Sequence, residues 1–152
     1  MTDEEILHRF NTCPQPASTT LGAEVLDIDT SAGKVTLRCT ATREHCHSVD
    51  WNPKGGIVQG GFVTGWLDAA MATACIARAK FAVSVPSLEI KVSFLAPAHP
   101  GIYLAKGWIQ RWGRTIAFLE GDLRDTSGKL IATASSTAML APLPATANAN
   151  AA

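Results

Sequence analysis

One long apolar stretch, from Gly55 to Ala77, constrains the fold of this chain more than any other feature, because it holds a single charged residue, Asp68. From Gly60 or Gly61 to about Lys80 it is rich in alanine, methionine and leucine, which predicts a helix about 30 Å long. Such a length could span a bilayer, but an acid near the middle costs about 2.5–3.5 kcal/mol on insertion scales. We therefore expect a helix buried inside a folded domain, where its whole circumference can be apolar, and no association with a membrane.

Segments of alternating polarity lie on both sides of this helix in the sequence. Two before it and four after it are bounded by turn residues and predict strands. The predicted strands cover residues 23–29, 34–42, 87–95, 102–111, 115–125 and 130–140. Short turns join the last four strands, so we expect them to pair as an antiparallel meander. A capping-box pattern at Thr2 and Glu5 predicts a short helix from Thr2 to about Asn11.

The predicted architecture follows from the need to cover one long apolar helix on several sides. The fold class is α+β, with a long central helix wrapped by an antiparallel sheet of about six strands. With 152 residues in the chain, we expect one domain over residues 1–140 and a disordered Pro- and Ala-rich tail over residues 141–152. The edges of an open sheet invite pairing with a second copy, which predicts a homodimer or a homotetramer.

Charge and cysteine content exclude several classes of protein. The 13 basic and 13 acidic side chains give a formal net charge of zero, so binding to a nucleic-acid backbone is not indicated. The four cysteines form no CxxC pair and are not spaced as a disulfide framework or a zinc site; they are Cys13, Cys39, Cys46 and Cys75. The acidic start of the chain lacks the apolar run of a signal peptide, so we expect a reducing, cytoplasmic location.

Three potential metal ligands are adjacent at His45, Cys46 and His47. A zinc site normally needs a fourth ligand, and none follows at a usual spacing. We therefore predict a plain surface loop here and no metal site.

The start of the long helix is the strongest candidate site. Gly60 and Gly61 follow Gln59 there, and the first N–H groups of a helix lack intrahelical acceptors and lie at the positive end of the helix dipole. Without side chains, the glycines would let a substrate carbonyl approach, as an oxyanion site requires. Close packing of helix against sheet is the alternative explanation for this glycine pair.

Asp68 follows the glycines by about two helical turns and is the only acid in the predicted helix. An exposed position without function is the alternative interpretation. It is the weaker one, because the neighbouring side chains are apolar and a buried carboxylate without a role is costly.

Several short motifs together resemble one family. Gln59-Gly60-Gly61, with Asp68 nine residues after the glutamine, is similar to the helix start of the hotdog-fold acyl-CoA thioesterases, where His-Gly-Gly precedes a catalytic Asp or Glu. Three later segments resemble that family's Phe-x-x-Pro-Ala strand end, its Gly-Arg/Lys strand start and its last hairpin; they are Val92–Ala98, Gly113–Phe118 and Asp125–Ala132. The likeness runs from about residue 21 to residue 140 and points to the phenylacetyl-CoA and 4-hydroxybenzoyl-CoA thioesterase subgroup.

The resemblance implies a reaction and a set of roles. An acyl-CoA would be hydrolysed to a free acid and CoA, without a metal or redox cofactor. The N–H of Gly60 would polarise the thioester carbonyl, Asp68 would act as general base or as nucleophile, and Ser87 would position the water. The other residues implied to contact the thioester or CoA are Gln59, Asn52, Gly61, Phe62, Arg114 and Thr115. The site would lie between subunits, with Gln59 and Gly60 from one chain and Asp68 and Ser87 from the other.

Two positions depart from the family pattern. Gln59 stands where the family usually has histidine, and glutamine can donate a hydrogen bond but cannot exchange a proton near neutral pH. Asn52 lies seven residues before Gln59, where six is usual in the family.

Two other functions remain open at the level of the sequence. An enoyl-thioester hydratase or dehydratase of the same fold would need an acid–base pair, typically with histidine, and all four histidines lie outside the long helix: His8, His45, His47 and His99. A non-catalytic acyl-CoA binding module would account for Gln59 but leave Asp68 without a role. Phe62 and Trp66 indicate an apolar or aromatic acyl group whose length the sequence does not give.

Overall fold

A 19-residue helix lies at the centre of the structure, a computed structural model that describes residues 1–144. The helices are α1 (Asp3–Thr12), α2 (Pro16–Leu21) and the central α3 (Gly60–Arg78), and a 3₁₀ turn covers Arg43–His45. The strands are β1 (Ala23–Asp29), β2 (Lys34–Ala41), β3 (Cys46–His47), β4 (Ile57–Val58), β5 (Val83–Ser84), β6 (Ser87–Phe94), β7 (Gly101–Trp112), β8 (Ile116–Asp125), β9 (Leu130–Met139) and β10 (Ala141–Pro142).

Six of these strands form one antiparallel sheet that curls around α3. Their order is β1-β2-β7-β8-β9-β6. Alternate residues of the long strands point towards α3 and are buried, as Ala117, Leu119 and Leu123 are on β8. The predicted α+β architecture, with one long helix wrapped by about six antiparallel strands, is confirmed.

The face of α3 towards the sheet is buried because large and small residues interlock there. Trp66 and Leu67 are completely inaccessible, and the indole N–H of Trp66 donates a 2.7 Å hydrogen bond to the carbonyl oxygen of Leu21. By length and composition α3 could cross a membrane, but eight of its residues are buried inside this domain. It is therefore the core helix of the fold.

The order of the sheet corrects one prediction. The strand at residues 87–95 was expected to pair with the next one in sequence, but β6 pairs with β9 at the edge and β7 pairs with β2 and β8. Pro97 and Pro100 lie in the connection, and proline lacks the N–H that a ladder needs. The segment between β6 and β7 therefore crosses the end of the sheet and does not form a hairpin.

The chain termini give one confirmed prediction and one correction. The capping box at Thr2 and Glu5 is present at the start of α1. The tail was predicted to be disordered from Ala141, but Ala141 and Pro142 pair with β5. The rest of that prediction, residues 145–152, lies outside the described residues.

The two edges of the sheet differ. Along β1, the side-chain amide of Asn11 in α1 donates to the carbonyl oxygen of Val25 at 2.8 Å and accepts from its N–H at 3.1 Å. Helix α1 thus supplies partners to the backbone of one edge strand. The opposite edge, β6, carries the exposed apolar side chains Leu88 and Phe94.

Candidate active site

Gln59 is the N-cap of α3 and organises the start of the helix. Its backbone N–H donates to the His45 carbonyl oxygen at 2.9 Å, and its side-chain Oε1 accepts from the Gly61 N–H at 2.6 Å. The Gly61 amide is therefore occupied by the cap. Within residues 1–144, by contrast, no acceptor takes the N–H of Gly60, which leaves one N–H available at the positive end of the helix.

The ring of Phe94, at the end of β6, lies directly over Gly60. A Cβ placed on Gly60 would come within 3.2 Å of the ring, while the Phe94 side chain is 56% exposed. Glycine at position 60 thus allows an aromatic ring to lie close to the start of the helix, and it also leaves the backbone accessible.

Asp68 lies on α3 and is half-buried. Its Oδ1 accepts a 2.6 Å hydrogen bond from the hydroxyl of Ser87, the first residue of β6. A short hydrogen bond to a carboxylate is stronger than one between neutral groups, so Ser87 fixes the orientation of the acid. Among residues 1–144, Oδ2 accepts no hydrogen bond, so it is available to a water or a substrate. The structure thus brings together two of the residues predicted as catalytic.

Gly60 and Asp68 lie two turns apart on one helix, which is about 12 Å along its axis at 1.5 Å per residue. A substrate carbonyl held by the Gly60 N–H and a water held by Asp68 need to be in contact, about 3 Å apart. One chain by itself therefore does not bring these two groups to a single reacting carbon.

The predicted CoA-contacting residues Arg114 and Thr115 lie in the turn between β7 and β8 and are exposed. The Thr115 carbonyl oxygen accepts a hydrogen bond from the N–H of Leu140. Ala138, two residues before Leu140, pairs with Ser87 where β9 lies beside β6. This turn therefore lies at the Ser87 end of the sheet, nearer to Asp68 than to the Gly60 end.

The other predicted contact residues have partners within their own surroundings. Asn52 accepts a 2.9 Å hydrogen bond from the Lys54 N–H in its own loop. Phe62 packs edge-on against the His45 ring, with centroids 4.7 Å apart. Trp66, proposed from the sequence as an acyl contact, is fully buried and unavailable to a substrate, which corrects that interpretation.

His45 is a structural residue that sequence reasoning placed wrongly on the surface. It is buried, with Nδ1 accepting from the Thr42 N–H at 3.0 Å and Nε2 lying 2.9 Å from the Thr20 carbonyl oxygen. The only sequence signal was the polar pattern of a loop, and the burial comes from contacts distant in sequence. Within residues 1–144, no three His, Cys, Asp or Glu side chains cluster in a way that could hold a metal ion.

Comparison with known proteins identifies the family and the fold of this chain. The family model of the thioesterase superfamily matches residues 55–132, about half of the chain. A phenylacetic acid degradation-related protein of Ralstonia eutropha JMP134 is 32% identical, with a TM-score of 0.75 over 90% of this chain and 98% of its own. The PaaI protein of the E. coli phenylacetic acid degradation operon, at 15% identity, has a TM-score of 0.76 over 92% of this chain and 96% of its own, and so shares the fold.

A curated relative in Saccharolobus solfataricus, whose name describes an esterase, is 28% identical over 81 residues. The match covers 53% of this chain and 57% of that relative, so the chain aligns with less than two thirds of the relative's length. The match to the family model and the likeness to the Ralstonia protein over nearly the whole length lead to one conclusion: the chain belongs to the thioesterase superfamily and has its hotdog fold.

Proposed function

We propose that this protein hydrolyses an acyl-CoA thioester to a free acid and CoA. The observation that carries the proposal is the Asp68 carboxylate, oriented by Ser87 at 2.6 Å on the central helix of a thioesterase-superfamily chain. The water oxygen bonds to the thioester carbon, the carbon–sulfur bond breaks, and the proton taken from water goes to the sulfur of the leaving CoA.

Asp68 acts in this scheme as general base towards water or as nucleophile towards the carbonyl. Ser87 donates to Oδ1 and is a positioning residue, which leaves Oδ2 to take the proton or attack. Gln59 caps the helix through Gly61 and thereby directs the Gly60 N–H outwards, where it stabilises the negative charge that develops on the carbonyl oxygen.

A second copy of the chain completes the site in this proposal. Ser87, the first residue of β6, holds Asp68 at one end of this edge strand, and Phe94 covers Gly60 at the other end. Antiparallel pairing of two β6 strands about a two-fold axis sets the start of one strand against the end of the other. Asp68 of one chain then approaches Gly60 of the partner subunit. The two groups that act on one substrate then come from different helices, so the separation of about 12 Å along a single helix no longer keeps them apart.

CoA would lie along the exposed rim of this composite site. Arg114 and Thr115 are at the Ser87 end of the sheet and are accessible. A guanidinium group is suited to bind phosphate oxygens in a bidentate manner, so Arg114 is the residue we assign to the phosphates of CoA.

Two inactive variants test whether each active site is built from residues of two chains. Asp68→Asn removes the acid, and Gly60→Pro removes the N–H. The backbone accommodates this proline, because Gly60 is the first helical residue and Gln59 before it is extended (ψ 136°), as the residue before a proline prefers. If each site takes Gly60 from one chain and Asp68 from the other, mixing and reassembling the two inactive proteins restores about one quarter of wild-type activity through hybrid dimers.

Free-thiol release from an acyl-CoA panel measures this activity. Gly60→Ala keeps the N–H and adds the same Cβ, so it controls for contact with Phe94. No recovery on mixing would place the whole site within one chain, and no turnover of any acyl-CoA by the wild-type protein would refute the proposed reaction. Hydration of an enoyl-CoA in its place would support the hydratase alternative, for which the buried His45 offers no accessible acid–base group.

A further inference from the structure

A cavity of about 340 Å³ opens beside Gly60. Its walls are apolar side chains and glycine, contributed by the β4 strand, the first turn of α3, the segment after β6 and the start of β9; they include Val58, Val63, Leu95, Ala96 and Ile131. None of the residues that line it has a charged or hydrogen-bonding side chain.

Backbone hydrogen bonds fix the walls of this cavity. The N–H groups of Leu95 and Ala96 both donate to the Ile131 carbonyl oxygen, at 2.9 and 3.1 Å. The Val58 N–H donates to the Ala98 carbonyl oxygen at 2.8 Å. The segment after β6 is thus attached to β9 on one side and to β4 on the other, which holds this wall of the cavity in place.

Phe94 forms one wall of the cavity beside the start of α3. Its ring lies 3.2–3.9 Å from the position of a Cβ on Gly60, and Gly60 and Phe94 both line the cavity. A carbonyl oxygen bound to the Gly60 N–H therefore has its substituent at the mouth of this apolar space.

We propose that this cavity receives the acyl group of the substrate, that the preferred acyl group is compact and uncharged, and that Phe94 and Ala96 set its size. The inference rests on the proposed thioesterase function and deepens it. A carboxylate at the far end of an acyl group would be buried without a partner, which is costly. The volume lies at the low end of ligand pockets, about 300–1,000 Å³, and so disfavours long-chain acyl groups.

A second, larger cavity among the described residues is a poorer candidate for the acyl group. It measures about 840 Å³ and lies between α1, α2 and the outward face of α3. Arg9 and Glu24 are among its lining residues, and neither Gly60 nor Asp68 is. An acyl group there would be separated from both groups proposed to act on the thioester.

The test compares acetyl-, hexanoyl-, succinyl- and palmitoyl-CoA as substrates of the wild-type protein and two variants. Ala96→Leu fills the cavity and should lower kcat/KM for hexanoyl-CoA relative to acetyl-CoA about tenfold or more, the size of effect expected for extra methylene groups in an apolar pocket. Phe94→Ala removes a wall and should shift preference the other way, towards the longer acyl groups.

Ala32→Leu is the matched control, because Ala32 is exposed in the turn between β1 and β2, at the opposite edge of the sheet. Circular dichroism and size-exclusion chromatography of each variant separate a specificity change from misfolding or loss of assembly, and Phe94→Ala decides the matter if Ala96→Leu fails to fold. A wild-type preference for succinyl- or palmitoyl-CoA, or turnover with an unchanged acyl profile in the cavity variants, would overturn this inference alone. No turnover of any acyl-CoA would overturn the proposed function with it.

Discussion

Gly107 of β7 lies against the backbone of Ala70 in α3: a Cβ added to Gly107 would lie 2.5 Å from the Ala70 carbonyl oxygen and 2.5 Å from the Met71 nitrogen. Backbone atoms cannot move aside as a flexible side chain can. This contact sets how closely the central helix approaches the middle of the sheet, and therefore where Asp68, two residues before Ala70, lies relative to β6.

Replacing Gly107 by alanine should destabilise the protein by about 3 kcal/mol or more, because overpacking at this point requires helix and sheet to separate. Gly65→Ala is the matched control: its Cβ would meet the end of the flexible Leu21 side chain at 2.9 Å, and alanine favours a helix by about 1 kcal/mol over glycine. Urea denaturation of both variants measures the difference. Equal free energies of unfolding for the two variants would show that α3 can move away from β7 to make room for the added Cβ.

Asp68→Asn should lower kcat by about 10²-fold or more, since it removes the group that we propose takes a proton or attacks the carbonyl. In Ser87→Ala the fall in kcat should be smaller, about ten- to a hundredfold, because the acid remains but its 2.6 Å hydrogen bond is lost.

Steady-state kinetics with the best acyl-CoA of the panel tests both variants. Ser93→Ala, on the same strand but paired with Thr133, is the control for Ser87→Ala. If Ser87→Ala and Ser93→Ala had the same kinetics, the positioning role of Ser87 would be wrong.

The four thiols should react in a fixed order. Burial raises the pKa of Cys39 and of Cys75 to about 12 and raises the pKa of the half-buried Cys46 thiol, while Cys13 is exposed. Since the thiolate is the reactive form, a thiol reagent at mildly alkaline pH should label Cys13 first, Cys46 more slowly, and the two buried thiols only on unfolding.

Absorbance of the released chromophore follows the labelling over time. Cys13→Ser should abolish the fast phase and leave the unfolding-dependent phase unchanged. Rapid reaction of all four thiols in the folded protein would contradict the burial of β2 and α3.

Asp125 should stabilise the turn between β8 and β9 only while it is ionised. Its Oδ1 accepts hydrogen bonds from the Ser127 hydroxyl at 2.6 Å, the Ser127 N–H at 2.9 Å and the Lys129 N–H at 3.0 Å. The side-chain hydrogen bond from Ser127, followed by these backbone bonds, holds the pKa of Asp125 below its usual 3.8. A lowered pKa means that the stabilisation is present above the usual value and is lost as pH falls through the lowered one.

Asp125→Ala should therefore lower the Tm near neutral pH, and the difference from wild type should shrink in strongly acidic buffer. Differential scanning calorimetry across this pH range measures the effect. Asp27→Ala, at an exposed position of β1, is the control. A Tm difference that grew on acidification would have the wrong sign for an ionised acceptor.

Local pattern was sufficient to predict most elements of this fold. The single charge and the glycines of the long apolar stretch placed α3 correctly, and alternating polarity placed the six long strands within a few residues. Helix α2 was missed because its six residues, with Pro16, serine and threonine, carry a weak helical signal. The place of β6 next to β9 was also missed, because the order of strands depends on a crossing that no local pattern encodes.

The candidate site was predictable in part. The glycine pair at the helix start and the lone acid Asp68 suggested the two ends of the chemistry, and the resemblance implied Gln59 and Ser87. The contact between Phe94 and Gly60 could not be predicted, because it joins residues 34 positions apart through the curl of the sheet. The burial of His45 depends in the same way on Thr20 and Phe62, which are distant from it in sequence.

The side-chain amide of Asn11 occupies both backbone groups of Val25 on β1, and this has a consequence for polymerisation. A sheet that can accept a strand on both sides can add copies without limit, as fibrils do. Here the first helix of the chain covers Val25 on one edge, so in the proposed assembly growth through β6 ends after a single addition. Removing α1 should accordingly turn the proposed self-limiting pair into an aggregation-prone chain.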